Sequence, residues 1–347
     1  MPPYVAGKPP ATTAGRTTYK LSSNENPYPP LPGVIDVAVK AVAGMNRYPD
    51  MGNTALYEAL AATYGVPIED IAAATGSTGL IYGLLTAFCE TGDEVVYPWR
   101  SFEAYPIAAL AAGAVSVQVA NRPDGGHDLE AMAAAIGPRT KVVMVCTPNN
   151  PTGPALRQTE LDGFLSKVPD DVLVIVDEAY QEFVRLDDAV DGIATYRARG
   201  NVAVLRTFSK AYGLAGFRVG YAIAPAPIAA ALRAVSLPFG VNLVGQAAAV
   251  ASLAARDALF ERVEALVAER TRVLKGIRAA GWDVPDAQGN FVWLPAGAER
   301  IAELMTVAED LGITVRPLGE DGVRISIGED EGNDRIIELA QRVRPEA

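Results

Sequence analysis

Leu205-Arg206-Thr207-Phe208-Ser209-Lys210-Ala211-Tyr212-Gly213-Leu214-Ala215-Gly216-Phe217-Arg218-Val219-Gly220 is the stretch where an apolar strand, starting at Val202, runs into small and hydroxylic residues. Lys210 sits at that turn, and Arg218 follows just before another apolar run. Hydroxyls, one amine and one guanidinium at a strand edge suit a phosphate held beside a reactive amine. On that reading Lys210 forms a Schiff base with a phosphorylated aldehyde cofactor. A surface lysine capping a turn explains the same residues as well, so the stretch alone leaves the choice open.

Working outward, strands are expected at 72–75, 94–97, 115–119, 141–146, 172–177, 202–207 and 219–223. Helices are expected at 34–43, 54–64, 80–89, 102–112, 128–136 and 158–167. Continuous apolar strands alternating with helices predict an α/β fold with a mostly parallel sheet covered on both faces. A long helical stretch at 242–279, breaking near Arg256, leads to strands at 291–294, 314–316 and 323–327 and helices at 298–311 and 331–343. That end reads as a smaller α+β domain. The expected division is an extended arm at 1–32, a large domain at 33–240 and a small domain at 241–347.

Composition removes several function classes. The 347 residues carry a formal net charge of −11 with no basic cluster, which disfavours nucleic acid. The apolar runs are far shorter than the ~20 residues of a membrane span, and Met1-Pro2-Pro3-Tyr4 does not start like a secretory signal. Cys89 and Cys146 both lie in apolar surroundings and read as reduced core residues of a cytoplasmic protein. The single histidine, His127, lies in Asp124-Gly125-Gly126-His127-Asp128 and reads as a surface turn. It leaves no basis for a zinc site or a Ser-His-Asp triad, so an acid–base group would have to be something else.

Three strand ends carry chemistry. Pro148-Asn149-Asn150-Pro151-Thr152-Gly153 follows one strand, Asp177-Glu178-Ala179-Tyr180 ends the next, and Phe208-Ser209-Lys210 ends a third. In such sheets ligands bind at the carboxyl ends of the strands. An aspartate finishing a valine-rich strand needs a donor or a cation there. Asp177-Glu178 could also hold magnesium, but the P-loop that would accompany it is missing. Gly76-Ser77-Thr78-Gly79, between a strand and a helix, serves equally as a phosphate site or an ordinary turn. The cluster Ser22-Ser23-Asn24-Glu25-Asn26-Pro27 in the arm has no evident packing purpose.

Taken together, the chain resembles the fold-type I pyridoxal phosphate aminotransferases over essentially its whole length. Within them it resembles the group of histidinol-phosphate and actinobacterial aromatic amino acid aminotransferases. The motifs, in order, are Asn-Glu-Asn-Pro at 24–27, Arg-Tyr-Pro-Asp at 47–50, Asn-Asn-Pro-Thr-Gly at 149–153, Asp-Glu-Ala-Tyr at 177–180, Thr-Phe-Ser-Lys at 207–210 and Arg-Ile-Ser-Ile-Gly at 324–328. Several short motifs in one order are more specific than any one of them.

The resemblance implies an aspartate aminotransferase-like fold and the cofactor pyridoxal 5'-phosphate. It implies Lys210 as the lysine that carries the cofactor and moves the substrate proton, and Asp177 as partner of the pyridinium nitrogen. Asn150 and Tyr180 would bind the ring oxygen, and Phe102 would stack on the ring. Ser77, Thr78, Thr207, Ser209 and Arg218 would hold the phosphate, joined by Tyr48 from the other subunit of a homodimer. Arg324 would grip the substrate carboxylate, with Asn24, Tyr4 and Asn290 on the substrate side. The partners implied are an amino acid and a 2-oxo acid. Residues 99–105 and 288–294 look more like the aromatic branch, which favours aromatic amino acid:2-oxoglutarate transamination over histidinol phosphate. A threonine phosphate decarboxylase on the related fold is the further alternative. A DNA-binding regulator has no room in the arm, and a nicotinamide dehydrogenase lacks its glycine fingerprint.

Overall fold

The structure, a computed structural model, describes residue 7 and residues 17–345. In chain order the first elements are β1 (Tyr19–Lys20), α1 (Val34–Val42), α2 (Thr54–Tyr64), β2 (Ile71–Thr75), α3 (Gly76–Phe88), β3 (Glu94–Trp99), α4 (Ala104–Ala111) and β4 (Val115–Ala120). There follow α5 (Leu129–Ala134), β5 (Thr140–Cys146), α6 (Gln158–Leu165), β6 (Leu173–Asp177), α7 (Gly192–Ala198), β7 (Val202–Thr207), β8 (Val219–Ile223) and α8 (Ala226–Val235). The chain ends with α9 (Leu243–Ala254), α10 (Arg256–Ala279), β9 (Phe291–Pro295), α11 (Ala298–Asp310), β10 (Ile313–Thr314), β11 (Arg316–Leu318), β12 (Gly322–Ser326) and α12 (Asp330–Arg342).

Seven strands form one sheet in the order β2-β8-β7-β6-β5-β3-β4. Only β8 runs antiparallel to its neighbours. The central strands are apolar without interruption because both faces are covered. Val143, Val145, Val174 and Val176 enter one core, under α2, α6 and α9, while Val142, Met144, Leu173 and Ile175 enter the other, under α3, α4 and α8. Alternation with period two thus runs from one buried face to another rather than from core to solvent. The edge strand β4 is more exposed, as an uncovered edge allows.

The later elements form a second, antiparallel sheet in the order β11-β12-β9, and β1 pairs in parallel with β10. The expected strand at 314–316 is thus two strands, β10 and β11, with different partners, because Val315 turns inward between them. The described part of the arm is tied down rather than simply extended: Leu21 N–H donates to Thr314 O at 2.8 Å and Ser326 N–H to Leu21 O at 2.8 Å.

The expected break in the long helical stretch falls at Ala255, where α9 and α10 meet at 83°. No single helix among the described residues is long and apolar enough to cross a membrane, although that bent pair passes by length and composition. Helices α7 and α8 were not anticipated, and α3 begins at Gly76, inside the expected turn. His127 corrects the surface-turn expectation. It is 1% exposed, with Nε2 2.9 Å from Cys146 O, and burial brings its imidazole down to about 4. An uncharged ring can be buried in a way that a charged one cannot. Cys89 and Cys146 are buried free thiols, pushed up by burial to about 11 and about 12.

Candidate active site

The register of the larger sheet brings the strand ends together. Cys146 on β5 lies level with Asp177 on β6, and Asp177 level with Leu205 on β7. Beyond those ends a cavity of about 260 Å³ is lined by Ser77, Thr78, Phe102, Asn150, Asp177, Tyr180, Thr207, Ser209, Lys210, Arg218 and Arg324, among others. Segments far apart in the sequence therefore share one wall.

Asp177 is 3% exposed, and its oxygens accept from Tyr105 Oη at 2.8 Å and from Ala179 N–H at 3.2 Å. It makes no ion pair among the described residues. Burial pushes its carboxyl up to about 6, with the Tyr105 and Ala179 hydrogen bonds opposing. Lys210 is partly buried, and its Nζ donates to Ser23 O at 3.0 Å and Asn24 O at 3.3 Å. Burial first, then the Arg324 charge, brings this amine down to about 7. A buried acid with no fixed cation and an amine near neutrality are the usual marks of a working site.

At the other end, Arg218 adopts a left-handed φ of 57°, and its Nη1 lies 3.4 Å from Ser209 Oγ. Two glycines allow close approaches here, one of Arg218 and one of the start of α3. A Cβ at Gly76 would stand 2.7 Å from Arg218 Nη2, and one at Gly220 would stand 2.4 Å from Ser77 N. The first N–H groups of α3 point along a helix of 13 residues into this end. Those donors, with a guanidinium and hydroxyls, form an anion cradle.

The opposite wall comes from the arm and the second sheet. Arg324 on β12 donates to Asn150 Oδ1 at 2.6 Å and to Ser22 O at 2.8 Å. Tyr180 Oη accepts from Asn24 Nδ2 at 2.9 Å, and its ring packs edge-on against Phe291 with centroids 5.0 Å apart. Asn24 has a left-handed φ of 52°, is wholly buried and accepts at Oδ1 from Ser326 Oγ at 3.1 Å. Asn290 Nδ2 donates to Asn24 O at 3.2 Å. Asn24 and Asn290 are absent from the cavity lining and brace it from behind. The polar arm cluster thus has a packing purpose after all.

Comparison with known proteins gives the family. Residues 16–339 match the family model "Aminotransferase class I and II". The chain belongs to this family of aminotransferases. It is 54% identical over 346 residues to an aromatic amino acid aminotransferase of Streptomyces avermitilis, covering 100% of this chain and 96% of the relative. With one of Rhodococcus jostii it shares 52% over 340 residues, covering 98% and 93%. Among solved structures, a histidinol-phosphate aminotransferase from Sinorhizobium meliloti in complex with pyridoxal 5'-phosphate matches with a TM-score of 0.88 and 29% identity, covering 95% and 91%. The expected family and aspartate aminotransferase-like fold hold.

Class I and II aminotransferases depend on pyridoxal 5'-phosphate. The cavity of this aminotransferase fits that group, with an unpaired buried carboxylate at one end and the anion cradle at the other. Of the residues expected from its sequence, Tyr48 does not line its own chain's cavity. It is 80% exposed and stacks on Phe239 with centroids 4.5 Å apart. Tyr4 lies outside the described residues. Sequence reasoning missed Tyr105, Ser22, Ser23 and Arg316. Tyr105, one helical turn after Phe102, carried a signal in its spacing; the others gave none.

Proposed function

We propose that this aminotransferase transfers the amino group of an aromatic amino acid to 2-oxoglutarate, with pyridoxal 5'-phosphate held in the cavity. The observation that carries the reading is that Lys210, Asp177, Asn150, Tyr180 and Arg324 line one cavity of about 260 Å³. The names of the relatives at 54% and 52% identity support the aromatic donor.

When bound, the cofactor supplies a carbonyl for the amino group and a ring that accepts the electrons freed at the substrate carbon. The chain's own residues do the rest. Lys210 Nζ, an amine brought down to about 7, would take the proton from the substrate's α-carbon and deliver it to the carbon that was the cofactor's carbonyl. Asp177, a buried carboxylate, would hold the cofactor's ring nitrogen and favour its protonated form. Tyr180 and Asn150 would bind the ring oxygen, and Phe102 would cover the ring. Ser77, Thr78, Thr207, Ser209 and Arg218 hold the phosphate. Arg324 clamps the carboxylate that the amino acid and the oxo acid share. Asn24 and Asn290 hold Tyr180 and the arm in place.

A homodimer with shared sites belongs to this reading, with Tyr48 of each copy serving the other. Ile35, Val39, Met45, Met51 and Leu237 are exposed apolar side chains, an unusual surface for a lone chain. A wider depression of about 990 Å³ is lined by Met51, Leu237 and Phe239 and shares Thr78, Phe102 and Arg218 with the cavity. A second copy seated there would cover the phosphate end. The arm at 1–32, the cofactor domain at 33–240, the smaller domain at 241–347 and a cytoplasmic location complete the proposal.

A second reading, a histidinol phosphate donor, is favoured by one observation. Arg316 lines the cavity and stands opposite Arg324 across β11 and β12, so two guanidiniums border the same cavity. The ratio of kcat/KM for phenylalanine and histidinol phosphate decides between them. A preference for phenylalanine is expected, and a strong preference for histidinol phosphate would overturn the aromatic reading.

A further inference from the structure

Arg316 and Arg324 occupy directly opposed positions on the antiparallel strands β11 and β12, and both line the cavity. Two like charges so placed repel, and burial of Arg316 to 7% exposure sharpens the conflict. A carboxylate from another part of the fold relieves it. Glu103, the residue just before α4, places Oε2 2.8 Å from Arg316 Nη2. Glu103 itself is absent from the cavity lining and reaches Arg316 from outside it. Its neighbour Phe102 lines the cavity, so the segment that follows β3 supplies both a ring face and this counter-charge.

We propose that Glu103 is a specificity-determining residue that acts through Arg316, setting the charge of ligand that the substrate end accepts. This inference rests on the proposed transamination reading and deepens it. The Glu103 carboxylate offsets part of the positive charge that the two guanidiniums bring to that wall. A ligand with a single carboxylate needs only the Arg324 fork. A phosphate ester or a dicarboxylate carries about two negative charges at neutral pH, and its second charge has to compete with Glu103 for Arg316. The pair therefore weighs more against dianionic ligands than against monoanionic ones. It acts on binding, since Glu103 touches neither substrate nor cofactor.

The test uses cofactor-loaded wild-type enzyme and Glu103→Gln, which keeps the side chain's shape and can still accept a hydrogen bond from Arg316. The donors are phenylalanine and histidinol phosphate, the acceptor is 2-oxoglutarate, and inorganic phosphate serves as competitive inhibitor. In Glu103→Gln, KM for histidinol phosphate and 2-oxoglutarate and the inhibition constant of phosphate are each expected to fall about tenfold, the scale of one nearby charge in a partly solvated site. KM for phenylalanine and every kcat should stay within about twofold. Equal losses for all substrates, or no change for any, would overturn the proposal and leave the pair as a structural strut. If Glu103→Gln fails to hold its cofactor, Glu103→Asp replaces it. The shorter side chain retains the charge but loosens the pair, and the same shifts are expected at smaller size. The outcome is separable from the parent reading. A wild-type enzyme that prefers histidinol phosphate sinks the aromatic donor, while the change in phosphate inhibition between wild type and variant still decides the role of Glu103.

Discussion

The two walls of the cavity are built in different ways. The wall proposed for the cofactor is made of consecutive, parallel strand ends of the larger sheet, and Asp177, Asn150 and Lys210 lie within 60 residues or so of one another. The substrate wall joins the arm to the last sheet, with Asn24 bonded to Ser326 across 302 positions and to Asn290 across 266. The first wall uses groups whose burial perturbs their protonation, as at Asp177 and Lys210. The second uses hydrogen bonds whose loss would loosen a shape. Chemistry is thus concentrated on the wall that the sheet makes rigid, and fit on the wall that closes from two chain ends.

That contrast can be broken most severely at Lys210. If Lys210 is the proposed proton carrier, Lys210→Ala should lower kcat for phenylalanine by about 10⁴-fold or more. A single-turnover assay reads this, and substantial residual turnover would mean that another base does the work.

Asp177→Asn is expected to lower kcat by about 10²–10³-fold, the usual scale for one misplaced buried electrostatic group. Its effect on stability should go the other way. Asp177 has a folded pKa raised to about 6, so the folded chain binds more protons than the unfolded one between about 4 and 6. The stability this proton gives is present below that window and is lost as pH rises through it. Cofactor-free Asp177→Asn should therefore melt above the parent at pH 8, with the gap narrowing towards pH 4. A variant that melts lower at pH 8 would place Asp177 among the stabilising residues.

On the substrate wall the balance should reverse. Asn24→Ala removes the bonds to Tyr180 and Ser326, leaving buried partners unmatched at a cost of about 1–3 kcal/mol in folding stability. KM for phenylalanine should rise about tenfold while kcat changes little. A fall in kcat alone would show that the braces act in the chemistry as well.

The smallest effect is one of pH. With the Lys210 amine brought down to about 7, cofactor-free enzyme should capture pyridoxal 5'-phosphate at a rate that rises through about pH 7 and then levels. Absorbance in a rapid-mixing experiment follows it. A midpoint near that of an ordinary lysine, about 10.4, would mean that burial does not depress this amine.

Much of the cofactor wall was legible in the sequence. Apolar runs ending in Asp177 and before Lys210 stood out because strands buried on both faces leave no ambiguity of face. The substrate wall was legible only by resemblance. Nothing local marks Ser22 as the carbonyl that receives Arg324, or Glu103 as the partner of Arg316 across 213 positions. His127 misled because glycines and aspartates around it look like a solvent turn, whereas the ring turns inward onto Cys146.

By itself the sequence determined the alternation of strands and helices and the residues at the strand ends, because these follow from local periodicity and residue type. Only the tertiary structure decided which chain ends meet. It also decided which guanidinium receives a carboxylate and how far burial moves Asp177 and Lys210. Those depend on distances between segments that the local pattern of apolar and polar residues does not encode.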